Sequence, residues 1–224
     1  MKPVPKETVK LKRVVWGEKD SRALRGILDR RNIAVVGTHV FFYDNTSMDV
    51  YGGRESRKGA QKREAYNDRI VALFSSKKDW KNAVFVLEDN THAPAVANLI
   101  FERKGGRFEL SNPAFFSDDG SILQEAGSAA NKKEGGFEPL KKMLSECDGV
   151  LVIGVCLGSC VSQTVRDIKT MAKTMGRDIP VYLNKSMTRL GFSWEGEVSM
   201  SKAYWLADRV IGATMGATSW EEEF

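Results

Sequence analysis

Apolar runs alternate with amphipathic stretches along most of the chain, and this pattern predicts strands separated by helices. The most apolar run, GVLVIGV, has no alternating polar positions, as is typical of a strand covered on both faces. Strands joined by helices form a parallel sheet with helices on both faces, so we predict a three-layer, mostly parallel α/β fold. The predicted strands cover residues 33–44, 83–89, 149–155 and 179–184. The predicted helices cover residues 58–75, 138–146, 161–175 and 201–212. Between residues 93 and 136 the pattern is weaker, with a hairpin or loop at LIFERKGGRFEL and a turn at SDDGS.

Basic residues are concentrated at the start of a chain whose formal net charge is +5. We therefore divide it into a basic N-terminal extension, residues 1–32, and a single α/β domain, residues 33–224. A basic segment can bind nucleic acid or an acidic partner. A solvated terminus is the simpler interpretation, because no aromatic-rich nucleic-acid motif accompanies the charge.

The composition, 42% hydrophobic and 28% charged over 224 residues, is ordinary for a soluble globular protein. No apolar run approaches the roughly 20 residues that a membrane helix requires, and the N-terminus has no apolar stretch of signal-peptide length. Three cysteines are too few for a disulfide framework and suit a reducing compartment. We therefore expect a cytoplasmic protein that does not enter a membrane.

Chemistry in parallel sheets collects just beyond the carboxyl ends of the strands. This rule selects Asp44, Asp89 and the turn GVCLGSC, residues 154–160. Cys160 lies at the N-terminus of a predicted helix, where unpaired N–H groups and the helix dipole stabilise a thiolate and an oxyanion. The alternative is that Cys156 and Cys160 are small buried apolar residues.

The segment GVCLGSCVSQTVRDI closely resembles the nucleophile turn of the isochorismatase-like cysteine hydrolases, the superfamily that includes nicotinamidases. The resemblance implies that Cys160 is the nucleophile, and that the N–H groups of Cys156 and Cys160 form the oxyanion hole. The positions that match the pattern are Gly154, Val155, Cys160, Val161, Thr164 and Asp167.

A second segment, VFFYDNTSMDVYGG, is similar to the first strand of that superfamily, which ends in a catalytic aspartate and is often followed by Gly-Gly. The resemblance assigns Asp44 to the aspartate. Asp-Asn-Thr-Ser is also good turn chemistry, so a turn residue is the alternative for Asp44.

The superfamily also uses a lysine that supports the thiolate and orients the aspartate. The segment NKKEGGFEPLKKML offers Lys132 and Lys133, and Lys104 is a third candidate. A surface charge is the alternative for each. The apolar and aromatic residues near Phe41, Tyr43 and Phe137 would suit a small, flat substrate, and we assign Phe41, Phe137 and His92 to the substrate pocket, with a loop position as the alternative for His92.

The segment VFVLEDNTHAP resembles the strand that supplies metal ligands from an Asp-x-His motif in nicotinamidases. Here Asp89 and His92 are one residue further apart, and the chain has only two histidines. Because a metal needs several correctly placed ligands, we expect no bound metal and no other cofactor.

Taken together, the resemblance implies a cysteine hydrolase that cleaves a small amide or related carbonyl substrate through a thioester, and a homo-oligomer as is usual in that superfamily. One alternative is an inactive scaffold of the same fold that binds a partner or nucleic acid through the basic segment. Another is a doubly wound nucleotide- or phosphate-binding protein with a phosphate at the helix N-terminus. The turn GVCLGSC completes neither GxGxxG nor GxxxxGK[ST].

Overall fold

The computed structural model describes residues 9–14, 32–40, 57–75, 83–87, 98–99, 102–105, 114–133, 135–155, 157, 159–188 and 218–223. The strands of this part of the chain are β1 (Val9–Val14), β2 (Ile33–Thr38), β3 (Ala83–Leu87), β4 (Ala114–Phe116), β5 (Gly149–Gly154), β6 (Val181–Thr188) and β7 (Thr218–Glu223). Its helices are α1 (Arg57–Ser75), α2 (Ile122–Glu125), α3 (Ala129–Lys133), α4 (Glu138–Glu146) and α5 (Cys160–Thr174).

The strands form one seven-stranded sheet in the order β4-β3-β2-β5-β6-β1-β7, and every described strand pair is parallel. The predicted mostly parallel α/β sheet is therefore confirmed. Strands β3 and β4 extend the sheet on one side of β2, whereas β5 and β6 extend it on the other. The strand order thus reverses between β2 and β5, and such a switch point is where ligands bind in open α/β sheets.

Two apolar cores lie on opposite faces of the sheet. Ala34 and Val36 of β2 belong to the core that includes α4 and α5, whereas Val35 of the same strand belongs to the core that includes Tyr66 and Ile70 of α1. All six residues of β5 are buried, as expected for a strand covered by helices on both sides. The three-layer arrangement is therefore present, and it explains why GVLVIGV carries no polar alternation.

The sheet extends into the segment that the sequence assigned to a separate N-terminal extension. Strand β1 pairs with β6 and β7, so this part of residues 1–32 belongs to the domain. The register sets Lys12 opposite Glu221 and Arg13 opposite Glu222, which joins basic and acidic segments at the two ends of the chain. The charged residues of VKLKRV and TSWEEE left these segments without the apolar pattern from which a strand is predicted.

Strand β2 is shorter than predicted, because it ends at Thr38 rather than at residue 44. The next residue, His39, has a φ of +46°, which turns the chain out of the strand, and its N–H donates to the Val86 carbonyl at 2.9 Å. Strand β4 and helices α2 and α3 lie between residues 93 and 136, where the sequence predicted only a hairpin or loop and a turn. The predicted helix 201–212 lies outside the described residues. Of the helices described, none has the length and hydropathy needed to cross a bilayer.

Candidate active site

Cys160 is the first residue of helix α5, directly after the turn that leaves β5. The residue is partly exposed, and its sulfur is a thiol rather than half of a disulfide. The hydroxyl of Ser159, the N-cap residue, lies 3.6 Å from the Cys160 Sγ as a donor. The first backbone N–H groups of a helix have no partner within the helix, so the thiol lies where negative charge is stabilised.

The turn before Cys160 is held against the end of β2. Gly154 has a φ of +133°, and a Cβ at this position would overlap the carbonyl oxygen of Thr38, so only glycine fits. The next N–H, from Val155, donates to that same carbonyl at 3.0 Å. Further along, the buried hydroxyl of Ser162 donates to the Leu157 carbonyl. The contacts of Gly154 and Val155 join the exit of β5 to the exit of β2, at the switch point, and the Ser162 bond joins the turn to α5.

A second wall of the site is the loop Ser117–Ser121, which follows β4 and corresponds to the predicted SDDGS turn. The Asp119 carboxylate accepts the Ser117 hydroxyl at 3.1 Å and the Ser121 N–H at 2.8 Å, which closes the loop on itself. Gly120 has a φ of +78° and packs on the backbone of Cys160: a Cβ there would lie 2.9 Å from the Cys160 α-carbon and would overlap its carbonyl oxygen.

Two residues of α5 attach this loop to the helix. The Thr164 hydroxyl donates to the Gly120 carbonyl at 2.9 Å and accepts the Thr38 hydroxyl at 2.8 Å. One turn later, Oδ2 of the fully buried Asp167 accepts the Leu123 N–H at 3.0 Å. The same oxygen also accepts the Ser121 hydroxyl at 3.3 Å, and the Arg166 guanidinium contacts Oδ1 at 2.7 Å. Thr164 and Asp167 matched the sequence pattern without an assigned role, and the structure shows what each of them holds.

His39 is a residue at this edge of the sheet to which sequence reasoning assigned no role. It is buried, with 7% of its surface exposed, and its Nε2 lies 2.8 Å from the Ser117 carbonyl oxygen. Since a carbonyl oxygen only accepts, Nε2 carries the proton in this contact. A non-glycine residue with positive φ is uncommon and is often found near functional sites. In the sequence, His39 follows the apolar strand β2 directly, and this position could have identified it as a candidate. The strand predicted over residues 33–44 instead placed His39 inside the strand.

Asn131 is a second residue that the sequence did not single out, although it neighbours two candidate lysines. Its side-chain amide accepts the Phe116 N–H at 2.7 Å and donates to the Phe116 carbonyl at 2.8 Å. The amide thus pairs the backbone groups of β4 that a neighbouring strand would otherwise pair. The same amide donates to the Glu125 carbonyl at 2.8 Å. Asn131 is fully buried and therefore holds α2 and α3 against the strand that leads into the loop.

The candidate lysines lie apart from these contacts. Lys132 and Lys133 are both exposed at the end of α3, and neither ammonium group has a hydrogen bond or ion pair within the described part of the chain. Lys104 pairs with Glu64 and Asp68 of α1, at 2.7 Å to each carboxylate. Burial lowers the pKa of Lys104, but its hydrogen bonds to the two carboxylates outweigh that effect and the pKa is raised. A catalytic role for Lys132 or Lys133 stays a prediction.

Phe137, proposed from the sequence as a pocket residue, packs against the core that α4 and α5 cover, and the Lys141 ammonium lies 6.0 Å from its ring centroid. Its role toward a substrate stays a prediction. The other predicted site residues lie outside the described residues: Phe41, Asp44, His92 and Cys156, together with Asp89. Among the residues described, no group of three or more histidine, cysteine and acidic side chains is arranged to hold a metal ion.

No protein-family model matches the chain, and no curated protein matches it. Among solved structures, it is similar to the MAR1 ribonuclease from Caenorhabditis elegans, with 12% identity over 84% of this chain and 77% of that one, and a TM-score of 0.45. It is also similar to a nicotinamidase from Staphylococcus aureus, with 16% identity over 85% of this chain and 99% of that one, and a TM-score of 0.45. At this level of similarity no catalytic residue, substrate or activity is carried over.

Proposed function

We propose that this protein is a cysteine hydrolase in which the Cys160 thiolate attacks the carbonyl carbon of a small amide or related acyl compound. The observation that carries the proposal is the position of Cys160, a partly exposed residue that begins α5 at the switch point of the sheet. The N–H groups at a helix start favour both a thiolate and the oxyanion that forms when it attacks. The Ser159 hydroxyl, 3.6 Å from the sulfur, adds a donor to the thiolate.

In the proposed reaction, Asp44 takes the proton of the Cys160 thiol, directly or through water, and the sulfur forms a bond to the substrate carbonyl carbon. The oxyanion accepts hydrogen bonds from the N–H groups of Cys156 and Cys160. The carbon–nitrogen bond then breaks, and the leaving amine takes its proton from Asp44. Water attacks the thioester, which yields a carboxylic acid and restores the thiol. The assignments of Asp44 and Cys156 rest on the resemblance of their sequence segments to the superfamily.

The test is ammonia release from a panel of small primary amides, nicotinamide among them, combined with intact-mass detection of an acylated enzyme. We expect Cys160→Ala to abolish both signals, whereas Cys147→Ala, which removes a buried thiol at the C-terminal end of α4, leaves them unchanged. We expect Asp44→Asn to slow turnover strongly and Asp49→Asn, a matched change five residues along, to have little effect.

Two outcomes would contradict the proposal. One is ammonia release that survives unchanged in Cys160→Ala, since the thiol would then be unnecessary. The other is a wild-type protein that is acylated at Cys160 by none of the amides and releases no ammonia from them. In that case the cysteine turn would belong to a scaffold without hydrolase activity.

A further inference from the structure

We infer that Thr164 is a positioning residue for Cys160: with Thr38, it fixes the loop Ser117–Ser121 on the backbone of the nucleophile. The inference rests on the proposed function only in treating Cys160 as the nucleophile. Thr164 does not touch the reacting atoms. It acts through Gly120, whose carbonyl it holds and whose α-carbon packs on Cys160.

The direction of the hydrogen bonds is determined by their acceptor. The Gly120 carbonyl can only accept, so the Thr164 hydroxyl must donate to it. The proton of the second contact therefore comes from Thr38, and the chain runs from Thr38 through Thr164 to Gly120, with distances of 2.8 and 2.9 Å. Both threonines are fully buried. Water therefore does not replace either hydroxyl, and removing one leaves a buried group unsatisfied.

The effect reaches Cys160 because the loop is held from two directions. Thr164 lies four residues after Cys160, on the same face of α5, and pulls the Gly120 end of the loop onto the helix start. His39, from the end of β2, holds the Ser117 end through that residue's carbonyl. Asp167 anchors the chain that follows the loop, through Leu123. The backbone of Cys160 is thus packed against a loop that hydrogen bonds hold at both ends.

The consequence is that loss of the Thr164 hydroxyl loosens the wall beside Cys160 while leaving the helix itself intact. A thiol that shifts relative to the first N–H groups of α5 spends less time where those groups stabilise its thiolate. We therefore expect slower reaction of Cys160 with an electrophile, together with a move of its pH profile towards higher pH.

The experiment measures the alkylation rate of Cys160 by iodoacetamide, over a range of pH, by peptide mass spectrometry. We expect Thr164→Val to slow the reaction by about tenfold at neutral pH, the scale of one net hydrogen bond, and to move the midpoint of the profile upward. Thr164→Ser keeps the hydroxyl and is expected to restore most of the rate. Thr170→Val is the matched control, because Thr170 lies on α5 and its hydroxyl donates, among the residues described, to the Arg166 carbonyl of its own helix, at 2.9 Å.

A folded Thr164→Val protein whose Cys160 keeps the wild-type rate and pH profile would overturn the inference, even if its melting temperature fell. If Thr164→Val does not fold, the alkylation rate of Cys160 in Thr38→Val tests the inference instead. That change removes the Thr38 donor and keeps the Thr164–Gly120 bond. We expect a smaller slowing there, and an unchanged rate would overturn the inference. The alkylation assay uses iodoacetamide and needs no substrate. A protein that hydrolyses no amide would therefore contradict the proposed function, while the ratio of the Cys160 alkylation rates in variant and wild type would still test this inference.

Discussion

The α-carbon of Gly120 lies against the backbone of Cys160, so closely that no side chain fits between them. Gly120 also has a φ of +78°, where residues with a Cβ are strained. The loop after β4 and the helix after β5 therefore meet through bare backbone. The loop follows β4, on the β2 side of the switch point, whereas Cys160 follows β5 on the other side. The contact therefore places the loop on the candidate nucleophile across the switch point.

Gly120→Ala tests this contact, with Gly176→Ala as its matched control. Gly176 has a similar φ of +70°, but a Cβ there meets nothing within 4 Å. Left-handed backbone costs an alanine roughly 1–2 kcal/mol at either site. At Gly120 we expect a further loss of about 1–3 kcal/mol from overpacking against Cys160. Urea unfolding of the two variants measures the difference, and equal losses would mean that the loop moves away from Cys160 without cost.

Asn131→Asp removes the two N–H donors that hold the Phe116 and Glu125 carbonyls and replaces them with an acceptor. Because the site is fully buried, we expect the free energy of unfolding to fall by about 2–4 kcal/mol. Gln124→Glu makes the same amide-to-acid change at an exposed position of α2 and should cost little. Denaturant titration of both variants checks the prediction, which a loss of equal size in the two would refute.

Asp167→Asn is expected to loosen the same region from the helix side. The carboxylate accepts from Leu123 and Ser121 with one oxygen and pairs with Arg166 through the other, so an amide would direct N–H donors at existing donors. We expect a loss of about 1.5–3 kcal/mol, the range for hydrogen bonds to charged groups. Arg166→Met should cost less, because its guanidinium is partly exposed. Thermal unfolding that ranks Arg166→Met as the more damaging change would contradict this assignment.

The Cys147 thiol makes the free energy of unfolding depend on pH. Burial raises its pKa above the ordinary value for a thiol. The folded state therefore keeps the proton when the unfolded state has lost it, so this contribution to stability is complete below the unfolded thiol pKa, roughly 8.5, and is lost as pH rises through the folded pKa. We expect the difference in unfolding free energy between wild type and Cys147→Ala to shrink as the pH is raised through the alkaline range.

The measurement is chemical unfolding of both proteins at several alkaline pH values, in the presence of a reductant. Other groups titrate in this range, but they contribute equally to both proteins and cancel in the difference. A difference that stays constant with pH would show that the folded and unfolded thiols titrate alike. As a second check, native Cys147 should be alkylated far more slowly than the same residue in the unfolded chain, because it is fully buried.

Local patterns in the sequence were sufficient for several elements. Helix α4 was predicted at its observed bounds. Helix α5 was predicted within one residue at both ends and β5 within one residue at one end, because burial of a helix face or of both strand faces imposes its own period on the chain. The place of Cys160 at the start of a helix also followed from the sequence, since an apolar run, a glycine-rich turn and an amphipathic stretch occur in direct succession.

The rest depended on contacts between residues far apart in the chain. Thr164 meets Gly120 across 44 positions and Thr38 across 126, and no local period records such a pairing. Strand β1 likewise joins the sheet only because β6 and β7 lie beside it, and its charged residues hid it from a hydrophobic pattern.

By itself, then, the sequence determined a parallel α/β sheet and a cysteine on the turn after its most apolar strand, because burial and turn chemistry act locally. Only the tertiary structure decided that the loop after β4 lies on that cysteine. That contact requires the backbones of Gly120 and Cys160 to meet at a point where Gly120 has no side chain. It also requires the buried hydroxyls of Thr38 and Thr164, which form their hydrogen bonds only when β2, the loop and α5 have packed together.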